Sequence, residues 1–240
     1  EDTIVFYYSD HGGALPRGKR NIHDSGTRVP LIIRIPERWQ HWQPAPAGSW
    51  VEELVSFVDL PPTLLSLCGV AVPQQFNGRA ILGPARSEPR PEVFLYRGRM
   101  DERYDIVRAV RDAEFRYVRN FSPHRSWGQH YTYPFTVQPS MRSWFAEYQA
   151  GRCTPAQSAY WQAKPAEELY CIADDPHELN NLVADPDYRE VLDNLRNRLR
   201  QLLLQTRDSG LVPEGMLSHL AGDRTVYEYC QSAAYPLAEL

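Results

Sequence analysis

Cysteine is scarce in this chain, and no two cysteines lie close enough in sequence to make a thiolate clasp. The four, Cys68, Cys153, Cys171 and Cys230, are far apart and include no Cys-x-x-Cys pair, which disfavours zinc and iron–sulfur sites. One disulfide among the last three stays open, and Cys68, inside TLLSLCG, reads as a small buried apolar residue. A run of 18 apolar residues is also lacking, so no transmembrane helix is expected. Neither sign of charge dominates, with 26 basic against 30 acidic residues. That removes any global reason to expect nucleic acid or an anionic membrane as partner. The chain opens on Glu1 with neither Met nor a leader, so we expect the natural N-terminus to lie further upstream.

What is present is enough for a sizeable core: 42% of 240 residues are hydrophobic, which suits one large domain or two small ones. Thr3–Tyr8 and Arg28–Ile35 are short continuous apolar runs, the pattern of strands covered on both faces in a parallel sheet. SFVDLPPTLLSLCGV predicts a helix with Asp59 as cap, Pro61 in the first turn and Gly69 just past the end. Pro84–Pro91 reads as a linker and Glu92–Arg97 as a further strand. Beyond residue 103 the texture changes. IVRAVRDAEFRYVRNF predicts a hairpin turning near Asp112, and ELYCI a strand ended by Asp175-Pro176. Phe121–Pro165 is rich in aromatics, Pro and Ser without a defensible period. From Asp185 the stripe Tyr188, Val191, Leu192, Leu195, Leu199, Leu202 and Leu203 predicts an amphipathic helix lying on a sheet.

The chemistry concentrates near the start. Asp10 and His11 leave the carboxyl end of the first strand, where open α/β sheets place ligand sites. A carboxylate and a neutral imidazole can together hold a divalent cation, and Gly12-Gly13 offers a backbone free enough to let them converge. Between Gly12 and Arg38 six basic residues face only Asp24 and Glu37. Among them, Lys19 can meet an oxyanion as a compact charge with three donors. This combination suggests metal-assisted hydrolysis of an anionic ester. His23 is a candidate acid toward a leaving group, and Arg17 a candidate substrate clamp. The plain alternatives are a polar turn after a strand, a solvated loop histidine and surface arginines.

The order of motifs resembles one family. Ser9-Asp10-His11-Gly12, Gly18-Lys19 and Gly26-Thr27-Arg28-Val29-Pro30-Leu31 are similar to the second half of the catalytic domain of formylglycine-dependent sulfatases, in the alkaline-phosphatase superfamily. SFVDLPPTLLSLCGVAVPQQFNGRAIL, RAVRDAEFRYVRN and ELYCIADDPHELNNLVADPDYREVL resemble later blocks of that family, in register. The resemblance implies an α/β fold. Residues 1–103 would supply part of a mostly parallel sheet flanked by helices, with the N-terminal part of that domain missing. Residues 104–240 would form a smaller α+β subdomain with an antiparallel sheet and a C-terminal helix.

It further implies that Asp10 and His11 ligate a calcium-type cation and that Lys19 contacts the sulfate and the leaving oxygen. The nucleophile would be a formylglycine from a Cys/Ser-x-Pro-x-Arg element upstream, in the missing N-terminal half of the same chain. Cys153-Thr154-Pro155-Ala156-Gln157 is the nearest look-alike here, with Gln where Arg is required. The 240 residues alone are therefore expected to be inactive. The substrate expected is a sulfated small molecule or glycan, in the periplasm or outside the cell. A phosphate or phosphonate monoester hydrolase of the same superfamily, and a non-catalytic module holding sulfated glycan, are the competing readings.

Overall fold

The computed structural model describes residues 2–237. In chain order the elements are β1 (Val5–Tyr8), α1 (Asp24–Thr27), β2 (Leu31–Arg34), α2 (Leu60–Leu67), β3 (Val93–Arg97), β4 (Val107–Arg111) and β5 (Phe115–Asn120). They continue with α3 (Thr132–Val137), α4 (Pro139–Gln149), α5 (Pro155–Ala159), β6 (Glu167–Cys171), α6 (Arg189–Thr206), α7 (Glu214–Ala221) and α8 (Val226–Gln231). The chain divides into two compact units. One comprises Glu1–His11 and Arg28–Val93, the other Gly12–Thr27 and Phe94–Leu240.

In the first unit β1 and β2 pair antiparallel, with Phe6 opposite Ile33 and Tyr7 opposite Ile32. This corrects the expectation of parallel strands covered on both faces: Val5, Tyr7, Tyr8 and Ile32 are exposed. The apolar run is real, but a run fixes only the extended conformation, not the direction of the partner. The helical segment starts earlier than Asp59. A 3-10 turn at Phe57–Asp59 carries a capping box between Ser56 and Asp59, and α2 follows with Gly69 in the left-handed conformation past its end. Asp59 is wholly buried and works as a hub. Its carboxylate accepts from the Ser56 and Arg79 amides and pairs with Arg90. The stretch expected to be a linker is thus pinned at Arg90, which also bridges Leu54. Cys68, expected to be buried, is exposed at the end of α2, and all four cysteines are free thiols.

The second unit is built on the antiparallel sheet β3-β4-β5-β6. The predicted hairpin forms with Asp112 at its turn, where the Asp112 carboxylate accepts from the Glu114 and Phe115 amides. Strand periodicity sorts the side chains between two faces. Val110, Tyr117 and Leu169 meet Leu192, Leu195, Leu199 and Leu203 of α6 on one face. Val107, Ala109 and Val118 meet Ile22, Trp127, Met141, Tyr160 and Trp161 on the other. Each fully buried leucine of α6 contributes about 2 kcal/mol by transfer from water. The second face is covered largely by α3, α4 and α5, in the region where the sequence showed no period. Pro134 sits inside α3, while Pro139 and Pro155 open α4 and α5. A third cluster, with Val212, Leu217, Tyr229 and Tyr235 at its centre, packs α7 and α8.

Candidate active site

Asp10 and His11 follow β1 directly. Adjacent residues leaving an extended strand normally diverge, yet here Asp10 Oδ2 lies 3.3 Å from His11 Nε2. Ser9 helps, its hydroxyl donating to the His11 carbonyl at 2.6 Å and closing a tight turn. Neither Gly12 nor Gly13 adopts a positive φ. Gly12 is required for another reason: a Cβ there would sit 1.8 Å from the Ser25 carbonyl oxygen, while its amide donates to Gly26 at 2.9 Å. Asp10 is largely exposed and His11 partly so. The pair offers one oxygen and one nitrogen donor on a common side, which fits a share of a divalent-cation shell. No cluster of three or more such donors occurs among the described residues.

Gly12–Thr27 folds into a compact loop of the second unit. The Lys19 amide donates to Gly13 and the Gly18 amide to Leu15, both at 2.9 Å. Gly18 is buried, and a Cβ on it would meet the Gly13 oxygen at 2.2 Å. Lys19 stands at the rim, its Nζ 5.0 Å from the centre of the Tyr133 ring. Arg20 lies over the same ring at 4.3 Å and pairs with Asp101 at 2.5 Å. A shallow recess beside Lys19 is walled by Arg20, Arg97, Tyr131, Gln138 and Tyr160.

Arg17 is occupied elsewhere. Its guanidinium donates to the His177 carbonyl at 2.7 Å and the Glu178 carbonyl at 3.3 Å, so it ties the loop down and is not poised as a clamp. His23 is 4% exposed and meets Trp127 edge-on at 4.8 Å. Burial, reinforced by Arg17, Arg116, Arg97 and Lys164, holds its imidazole well below the ordinary histidine range. The structure thus keeps this imidazole neutral and enclosed, in the environment of a packing residue. The six basic residues are likewise less available than their count suggested, for Arg20 and Arg38 sit in ion pairs. Of the aromatic group in the unpatterned segment, Trp127 and Tyr131 are core, while Tyr133 is exposed.

Sequence reasoning missed the buried charges that support this loop. Arg116 on β5 is 1% exposed and donates to the Ile22 carbonyl, Asp24 and Glu178. Nearby, Lys164 pairs with Asp105 at 2.6 Å beneath Trp127. Nothing in an alternating strand marks which arginine points inward. The turn carrying Glu178 did lie in a motif block, but its side-chain contact was not readable from spacing.

The sulfatase family model matches residues 1–70. An ulvan-active sulfatase of Formosa agariphila is 37% identical over 218 residues, which is 90% of this chain and 35% of that protein. The chain belongs to the sulfatase family. Human N-sulphoglucosamine sulphohydrolase is 29% identical over 90% of this sulfatase chain and 44% of its own length. The chain therefore spans less than half of either relative. Among solved structures, a 2-O GAG sulfatase superposes with a TM-score of 0.58 at 22% identity, over 85% of this chain and 37% of that one. A phosphonate monoester hydrolase of Agrobacterium radiobacter gives 0.53 at 23% identity, over 88% and 36%. The fold is that of sulfatases, and the antiparallel sheet with the helix on it is the expected subdomain. No helix among the described residues is long and apolar enough to cross a membrane.

Proposed function

We propose that this chain is part of an enzyme that hydrolyses sulfate esters on a carbohydrate outside the cytoplasm. The observation that carries the reading is the convergence of Asp10 and His11 at 3.3 Å, inside the segment that matches the family. Asp10 Oδ2 and the His11 imidazole would hold a calcium-type cation, which supplies positive charge against the sulfate oxygens when bound. Lys19, in the second unit, would offer its ammonium to a sulfate, stabilising charge as it develops on sulfate and leaving oxygen.

A formylglycine nucleophile of the family's kind would come from residues outside these 240. The Cys153–Gln157 look-alike is otherwise engaged, because Thr154 and Gln157 form the capping box that starts α5. Carbohydrate is favoured as substrate because the relatives at 37% and 29% identity are named for ulvan and N-sulphoglucosamine. Phosphate or phosphonate esters are the second reading, favoured by the likeness to a phosphonate monoester hydrolase.

In the full-length protein Asp10→Ala should abolish both bound divalent metal and turnover. Metal analysis of the purified variant beside a sulfate-release assay checks this, and retention of both would overturn the assignment. Lys19→Ala should lower the rate at least 100-fold, roughly the value of a transition-state donor. If it weakens glycan affinity in a protein that never turns over, the chain belongs to a binding module. Rates on matched sulfate and phosphate esters separate the two hydrolase readings.

A further inference from the structure

Lys19 reaches the rim of its loop on a backbone that its own segment does not stabilise alone. Two residues before it, Arg17 adopts a left-handed φ of 61° and sends its guanidinium to the carbonyls of His177 and Glu178. The Arg17 carbonyl in turn accepts from the Ser25 hydroxyl at 2.7 Å. Three residues after Lys19, the Ile22 carbonyl accepts from Arg116 at 2.6 Å. Five residues after, the Asp24 amide donates to Glu178 Oε2 at 2.7 Å, while the Asp24 carboxylate takes Arg116 and lies 3.4 Å from Arg111. Glu178 Oε1 accepts from Arg116 at 2.7 Å. Glu178 is 3% exposed and itself left-handed, at φ 53°. One turn, Asp175–Glu178, thus holds the lysine loop on both sides of Lys19, by backbone on one side and by carboxylate on the other. A Cα two positions from a fixed one lies within about 7 Å of it, so these anchors limit where the base of the Lys19 side chain can go.

We infer that Glu178, with Arg17 and Arg116, positions Lys19 for the substrate's anionic head, so that the turn after β6 controls the sulfate site through the loop. The inference rests on the reading of Lys19 as the sulfate contact, and it goes beyond it by naming what sets the lysine in place. Catalysis is sensitive to such placement, since ångström displacements of a charged group cost orders of magnitude in rate. Glu178→Gln removes the charge and presents an amide N–H to a donor on one side, either the Asp24 amide or Arg116. Arg17→Met removes the carbonyl anchors, and Arg17→Lys restores a donor.

The test uses the full-length protein with two readouts. Hydrogen exchange at the amides of residues 17–24 should quicken in Glu178→Gln and Arg17→Met, and less in Arg17→Lys. In the sulfate-release assay kcat/KM should fall about 10- to 100-fold in Glu178→Gln. The same change in a Lys19→Ala background should cost less than about threefold, because groups that act through one another are not additive. Bound metal should stay unchanged in every variant of this set. Equal losses in both backgrounds would overturn the inference, showing general damage to the fold, as would unchanged exchange at 17–24 in both variants. If Lys19→Ala keeps full activity, the sulfate reading of Lys19 falls and the control of sulfate turnover with it, whereas the exchange data report separately on whether the turn anchors the loop.

Discussion

At the scale of single residues, burial decides what a titratable group can do. His23 shows this in its pH behaviour. Its folded pKa lies well below the ordinary value, chiefly from desolvation, so the unfolded chain takes up a proton that the folded chain refuses. Stability from this group is present above pH 6.5 and is lost as pH falls below it, by about 1.4 kcal/mol per unit until the folded pKa is reached. Urea unfolding of the wild type and of His23→Phe at pH 7.5, 6.0 and 5.0 should show a shallower decline for the variant. Glu178 is raised in pKa by burial, with Arg116 pulling the other way. Little of this was legible in the sequence. A histidine between Ile22 and Asp24 looks like a loop residue, and only the sheet face beneath it turns it into core. The place of Asp10 and His11 directly after β1, by contrast, was legible, because a motif at a strand end states its own position.

At the scale of elements, legibility followed period. Helix α6 carries an unbroken apolar stripe, and the hairpin β4–β5 carries two extended arms about an Asp turn, so both stood out. Helices α3 to α5 did not, because their aromatic residues serve a cluster spread over the segment. Trp144 stacks on Tyr160 at 4.7 Å, and Phe135 and Phe145 both meet Trp161, contacts that follow tertiary packing and not a helical repeat. The direction of β1 against β2 was misread because apolar runs are silent on pairing. Two substitutions test the elements themselves. Leu195→Ala, from 3% exposure on α6, should cost about 2–5 kcal/mol, read as a lower urea midpoint at constant m-value. Gly12→Ala, with its backbone clash against Ser25, should open the lysine loop, destabilise by about 1–3 kcal/mol and speed exchange at the Gly26 end.

At the scale of the molecule, the two units differ in how well they hide their apolar surface. The second buries three clusters. The first leaves Val5, Tyr7, Tyr8, Ile32, Val58 and Leu64 exposed within a much shorter span of chain. Expressed as these 240 residues, the protein should bind a hydrophobic dye strongly and self-associate in light scattering. The full-length polypeptide should do neither, and equal dye binding by both would mean that these side chains stay uncovered.

The chain also passes between units three times, at His11/Gly12, Thr27/Arg28 and Val93/Phe94. Because of the first two crossings, the lysine loop is inserted between strands of one unit while its anchoring partners are encoded about 90 to 160 positions later. Recombination between homologues at a single junction near residue 94 would graft a foreign tail onto a native loop. Such chimeras should fold as two sound halves yet lose the proposed turnover unless residues 12–27 travel with the donor of 94–240, which makes the inherited unit of this protein discontinuous along the gene.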